Sequence, residues 1–178
     1  MRTAALRDMV EFLDGYLRIA EVPDESGAVN GLQVANEGEV TAIIAAVDAT
    51  QRTIDRVVAE CPRGTLLLVH HGLFWDGNRP VSGRRYRRLK ALLDHDIAVY
   101  SAHIPLDVHP EVGNNAVLAK MLGILDPVPF DNYKGMPFGA SGHLISPRDA
   151  LVTRLTELLG GDVHLIPGGP ETTTRVGI

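Results

Sequence analysis

Two adjacent histidines, His70 and His71, followed at once by Gly72, are the first residues in this sequence whose types and spacing suggest chemistry. A second group, Ser101-Ala102-His103-Ile104-Pro105-Leu106-Asp107, supplies another imidazole and a carboxylate. Imidazole nitrogen and carboxylate oxygen together suit zinc, manganese, iron or a similar divalent ion, and a carboxylate can bridge two such ions. His70, His71 and Asp107 are therefore candidate metal ligands, with Asp107 the candidate bridge and His103 an additional candidate. A lone histidine at a strand end is more often a hydrogen-bonded structural residue. An adjacent pair joined by a His/Asp segment at a second strand end is much rarer by chance.

Such residues need elements to aim them. Thr65–Val69 (TLLLV) is a short apolar run that leads straight into the paired histidines, and Ile97–Tyr100 (IAVY) leads into His103 and Asp107. Val40–Val47 (VTAIIAAV) is almost wholly apolar and rich in β-branched residues, as expected of a strand covered on both faces. Helical spacing separates the strands. Ala4–Leu17 aligns Leu6, Met9, Val10, Leu13, Tyr16 and Leu17; Thr50–Cys61 aligns Ile54, Val57 and Val58; Arg84–Leu93 turns Leu89, Leu92 and Leu93 inward. The alternation predicts an α/β fold, with a mostly parallel sheet and helices on both faces. Right-handed crossovers then bring the carboxyl ends of the strands to one edge, where α/β proteins place ligands.

Asp48 closes the first strand at that edge. It could orient a ligand histidine from behind, although capping the following helix is the commoner role for such an aspartate. Arg84, Arg85 and Arg88 belong to a short cationic run that could receive substrate phosphate, or could simply be the solvated face of a helix. His109, Glu111 and His143 are ligands by type, in places that a solvated loop or edge strand would explain, and His95 and His164 read as surface.

The remainder is less regular. Asn114–Leu122 has a helical pattern, and residues 123–142 are rich in Pro and Gly and read as a long connection. Ser146 as N-cap and Pro147 at the first helical position predict a helix running to Leu159. Val163–Ile166 and Thr172–Ile178 read as strands, the last of them ending with the sequence. The expected organisation is a metal-binding α/β domain over 1–122, then a connection and a smaller α/β subregion over 123–178 that reads as truncated.

Composition excludes several classes of function. With 178 residues, 45% apolar and 22% charged, the chain can bury a core and is neither disordered nor membrane-like. A formal net charge of −5 argues against general nucleic-acid binding. No apolar run approaches the roughly 20 residues of a membrane span, and no signal peptide precedes the first helix, so a cytoplasmic location is expected. The single cysteine, Cys61, excludes an internal disulfide framework and leaves any metal to His and carboxylate ligands.

Five segments carry a resemblance that covers nearly the whole chain. Asn30-Gly31-Leu32-Gln33-Val34, Ala46-Val47-Asp48-Ala49-Thr50, His70-His71-Gly72-Leu73-Phe74-Trp75, Ser101 to Asp107 and Gly113-Asn114-Asn115-Ala116 follow one another in the order found in the Nif-three-like dinuclear metal-centre proteins, which they resemble closely. These are also described as GTP cyclohydrolase I type 2 homologues. The resemblance implies an α/β fold, two divalent metal ions (zinc, manganese or iron) and a ring-shaped homohexamer. His70, His71 and Asp107 fall on the family's ligand positions, and His103 lies within a motif. It further implies a late Gly-His-x-x-x-Glu segment, which these 178 residues do not contain.

The function expected from this resemblance is a dinuclear metal-dependent hydrolase acting on a nucleotide or another phosphorylated small molecule, with no residue assigned a catalytic role. The alternative is an oligomeric metal-binding or metal-delivery protein without a dedicated reaction.

Overall fold

The structure is a computed structural model and describes residues 3–178. It divides into two compact units, one ending at Leu106 and the other running from Asp107 to Ile178. The first contains β1 (Ala4–Ala5), α1 (Leu6–Tyr16), β2 (Gly31–Val34), β3 (Glu39–Val40), β4 (Ala42–Asp48), α2 (Gln51–Glu60), β5 (Thr65–His71), α3 (Gly83–Asp94) and β6 (Ala98–Ser101). A single turn of helix, α4 (Ile104–Asp107), crosses the boundary.

The main sheet has the order β2-β6-β5-β4, with β4, β5 and β6 parallel and β2 antiparallel at the far edge. The alternation of side chains along β5 and β6 divides the apolar residues between two cores. Leu67, Val69 and Val99 pack with Ile54, Val57 and Leu92 from α2 and α3. Leu66, Ala98 and Tyr100 pack on the opposite face with Leu6, Leu17 and the α1 residues Met9, Val10 and Leu13. Helices thus cover both faces, as the sequence pattern predicts. Tyr100 also donates its hydroxyl to Asp14 Oδ1 at 2.7 Å, tying α1 to the sheet; burial first, and this bond second, push its ionisation well above the ordinary phenol range.

Two details depart from the sequence reading. β4 is an edge strand covered on one face only: Ile44 and Ala46 pack against the core, while Ile43 and Val47 are 51% and 64% exposed. Its apolar composition reflects β propensity rather than burial on both sides. Leu93 is also exposed, since the inward stripe of α3 runs through Leu89 and Leu92.

The second unit contains α5 (Asn114–Leu122), β7 (Val128–Tyr133), β8 (Met136–Pro147), α6 (Arg148–Leu159) and β9 (Thr172–Gly177). Its antiparallel sheet has the order β7-β8-β9. Ala119, Leu122 and Ile124 form its core with Leu144, Leu151, Leu155 and Leu158, so α5 packs within this unit. The Pro/Gly-rich stretch expected to be a connection is a hairpin, turning at Lys134-Gly135 with both residues at positive φ. Ser146 belongs to β8 opposite Thr173 and makes no cap, and Pro147 precedes α6 instead of starting it. Val163–Ile166 forms no strand: its residues find no ladder partner. β9 does pair, and Ile178 exchanges backbone hydrogen bonds with Ala140 at 2.8 and 2.9 Å. Among the described residues no helix is long and apolar enough to cross a membrane.

Candidate metal centre

The parallel ladder brings the strand ends of β4, β5 and β6 to one edge. Pairing of β5 with β6 stops at Val69 opposite Ser101, whereas on the other side Asp48 still stands opposite His71. β5 therefore runs two residues past its neighbour, and there its side chains escape strict alternation. The rings of His70 and His71 lie 4.5 Å apart by centroid, and His103, just beyond β6, lies 4.8 Å from His70 and 5.4 Å from His71. The three can offer ligand atoms that all fall within 4.8 Å of one another.

Each of the three imidazoles is anchored at the same ring nitrogen. His70 Nδ1 lies 3.1 Å from the carbonyl oxygen of Ala102, His71 Nδ1 2.7 Å from Asp48 Oδ1, and His103 Nδ1 2.9 Å from Asp24 Oδ1. A carbonyl oxygen and two carboxylates only accept, so the proton sits on Nδ1 and the lone pair on Nε2. Metal-ligating histidines are held in this way, by a carboxylate or carbonyl behind the ring that fixes tautomer and direction. The donor set fits a borderline divalent ion: three imidazoles fixed at Nδ1, no thiolate, and a carboxylate behind two of the rings.

Asp48 is thus the partner of His71 rather than a helix cap. Thr50 caps α2 instead, its side chain accepting from Thr53 N at 3.1 Å. His103, only an additional candidate by sequence, stands fully within the cluster. Asp107 ends α4 at the start of the second unit and accepts from Asn114 Nδ2 at 2.6 Å; it is not one of the three clustered residues.

The loop before β2 supplies what the sequence reading missed. Asp24, its side chain only 7% exposed, takes His103 Nδ1 and Glu25 N on Oδ1, and Asn30 Nδ2 and Ile104 N on Oδ2. Burial would raise its pKa, but these four donors together hold it below the ordinary carboxylate value. Asn30 Oδ1 in turn accepts from His103 N at 2.8 Å. The loop holds Val29 at φ 43°, a left-handed conformation that costs a β-branched residue energy. Gln33 spans the same loop, with Nε2 on Val29 O at 2.8 Å and Oε1 accepting from Leu73 N at 2.7 Å. A Cβ at Gly72 would overlap that amide, so a larger residue there would have to displace Gln33 from its contacts with Val29 and Leu73. Asp24 follows Pro23 in a stretch without periodicity, and only its place before the Asn30-Gly31 motif could have drawn attention to it.

The remaining candidates are elsewhere. His109 is buried rather than in solvent, and its Nδ1 accepts from Glu111 N and Val112 N at 3.2 and 3.3 Å, which puts its proton on Nε2, the reverse of the clustered three. His143 lies exposed on β8, and His95 and His164 are exposed as expected. Arg85 is engaged by its own surroundings: it binds the Asp76 carboxylate, Gly77 O at 2.7 Å and Arg79 O at 2.8 Å, and lies over the Phe74 ring. Arg84 and Arg88 line a pocket of about 20 Å³ beside Leu73, room for one water molecule. Arg88 Nε is buried there with no hydrogen-bond partner among the described residues.

The sequence model of the Duf34/NIF3 (NGG1p interacting factor 3) family matches residues 4–178. This chain belongs to that family. A GTP cyclohydrolase 1 type 2 homolog of Deinococcus radiodurans is 39% identical over 175 residues, which is 96% of this chain and 64% of that protein. One of the same name from Pyrococcus abyssi is 47% identical over 141 residues, 79% of this chain and 55% of the relative. The chain thus spans between half and two thirds of these relatives' length. Among solved structures, TTHA1606 from Thermus thermophilus superposes with a TM-score of 0.81 at 36% identity, covering 96% of this chain and 68% of that one.

Proposed function

We propose that this NIF3-family chain binds divalent metal through His70, His71 and Asp107, with His103 as a further ligand, and serves a metal-dependent hydrolase. The observation that carries this reading is the common anchoring of the three imidazoles, each with Nδ1 on an acceptor and its lone pair on Nε2. Asp48 and Asp24 hold the rings of His71 and His103 from behind, and the Ala102 carbonyl holds that of His70, so that their Nε2 atoms are the ones left to ligate. Ions bound there supply Lewis acidity for attack on a carbon or phosphorus centre.

Two ions of zinc, manganese or iron would be held there, with Asp107 contributing its carboxylate, and a homohexameric assembly and a cytoplasmic location belong to the same proposal. The proposed substrate is a nucleotide or another phosphorylated small molecule, in keeping with the names of the relatives. Any phosphate contact falls to Arg84 and Arg88, because Arg85 is already engaged. Metal-loaded protein, assayed against a panel of nucleotides and sugar phosphates beside a His70→Ala/His71→Ala variant, tests the reading. Turnover lost with the histidines supports it. Metal binding without turnover of any compound would favour the metal-delivery alternative, and no metal uptake would overturn both.

A further inference from the structure

Trp75, the single tryptophan of the chain, has no part in the core. Its indole meets His103 edge to face, 4.8 Å between centroids at 83°, and meets His71 at 5.9 Å and 76°. It remains 39% exposed. The loop that carries it is fixed on several sides. Arg85 holds the following residues through the Asp76 carboxylate and the carbonyls of Gly77 and Arg79, and lies over the ring of Phe74, the residue before Trp75. Gly77 N returns to Phe74 O at 2.8 Å, closing the turn. From the opposite loop, Gly27 packs so closely that a Cβ there would come within 2.9 Å of Trp75 O. The indole is therefore held in place beside the histidine cluster with part of its surface open.

We propose that Trp75 is a stacking platform that makes the metal centre select ligands carrying a planar heteroaromatic ring, the chemical class of a nucleobase. A rigid indole loses little entropy on contact and offers a π face that stacks on any base, with little regard to its hydrogen-bonding pattern. The inference rests on the metal-centre reading and narrows it: of nucleotides and simple phosphate esters, the site takes the first. Arg85 acts as a positioning residue, since it touches the loop and not the ligand.

The test uses zinc-loaded wild-type protein and Trp75→Leu, with guanosine monophosphate and ribose 5-phosphate as probes. Zinc stoichiometry, measured first, should be equal in the two proteins. Guanosine monophosphate should quench the wild-type fluorescence, whose only indole is Trp75, and should bind about tenfold or more weakly to Trp75→Leu. Ribose 5-phosphate should bind both proteins alike, and Trp75→Phe should recover most of the lost affinity. Equal loss for both probes, or quenching absent while guanosine monophosphate binds, would overturn the platform. Zinc uptake without nucleotide binding would overturn it too, leaving the metal centre standing. No zinc uptake by the wild type would instead remove the reading on which it rests.

Discussion

The two units of this chain handle the same residue types in opposite ways. In the first, parallel strands end side by side, so β4, β5 and β6 deliver Asp48, His70, His71 and His103 to one edge. In the second, β7, β8 and β9 run antiparallel, so their ends alternate between edges, and His143 stands alone on β8. The histidines also differ in protonation pattern: the clustered three direct their Nδ1 protons to acceptors, whereas His109 accepts at Nδ1 from two backbone amides. Parallel topology gathers polar side chains, and the acceptors behind them decide whether a histidine presents a lone pair or a proton.

Leu67 is fully buried between α2, α3 and the sheet, so Leu67→Ala should cost about 2–5 kcal/mol in denaturant unfolding. Ile145, 80% exposed in the second unit, should cost less than about 0.5 kcal/mol when cut to alanine. Equal losses would mean that the buried sheet does not dominate stability. At the candidate centre, His70→Ala and His71→Ala should each weaken zinc binding by more than about 100-fold, since loss of a ligand exceeds loss of the group behind it. His143→Ala should leave it unchanged, and isothermal titration compares the two.

Smaller effects test the groups behind the rings. Asp24→Asn and Asp48→Asn should each reduce zinc affinity by about 10- to 100-fold, with little change in circular dichroism. Affinity that survived both changes would make those bonds incidental. Asp24 also makes an acid-stability prediction. Its pKa is depressed in the fold, so its contribution is fully present above about pH 4, the ordinary carboxylate range, and is lost as the pH falls through the depressed value. Melting temperatures measured from pH 7 to pH 3 should therefore fall less steeply in Asp24→Asn than in the wild type.

Much of the first unit was legible because its periodicities are strong. Every apolar α1 position singled out by helical spacing packs into the core beneath that helix, and the strand leading into His70 and His71 is buried from Thr65 to Val69 apart from the half-buried Leu68. Edge position was not legible: Ile43 and Val47 look like core residues in sequence, and only the order of strands exposes them. The second unit was harder because proline and glycine mark hairpins as readily as connections, and residues 128–147 are the former. At the centre, residue type picked out the histidines and the strand end offered Asp48 as the partner of one, but Asp24 lies 79 residues from the His103 it orients. Hydrogen bonds across such separations leave no local signature.

His70, His71 and His103 should present their Nε2 lone pairs together. Long-range nitrogen–proton correlation spectra of the histidine-labelled, metal-free protein read the tautomers directly. These three rings should be protonated on Nδ1 and His109 on Nε2, and zinc should shift the Nε2 resonances of the three while leaving His109 unmoved. Rings of the cluster protonated on Nε2, or Nε2 resonances indifferent to zinc, would mean that these histidines do not form a metal centre.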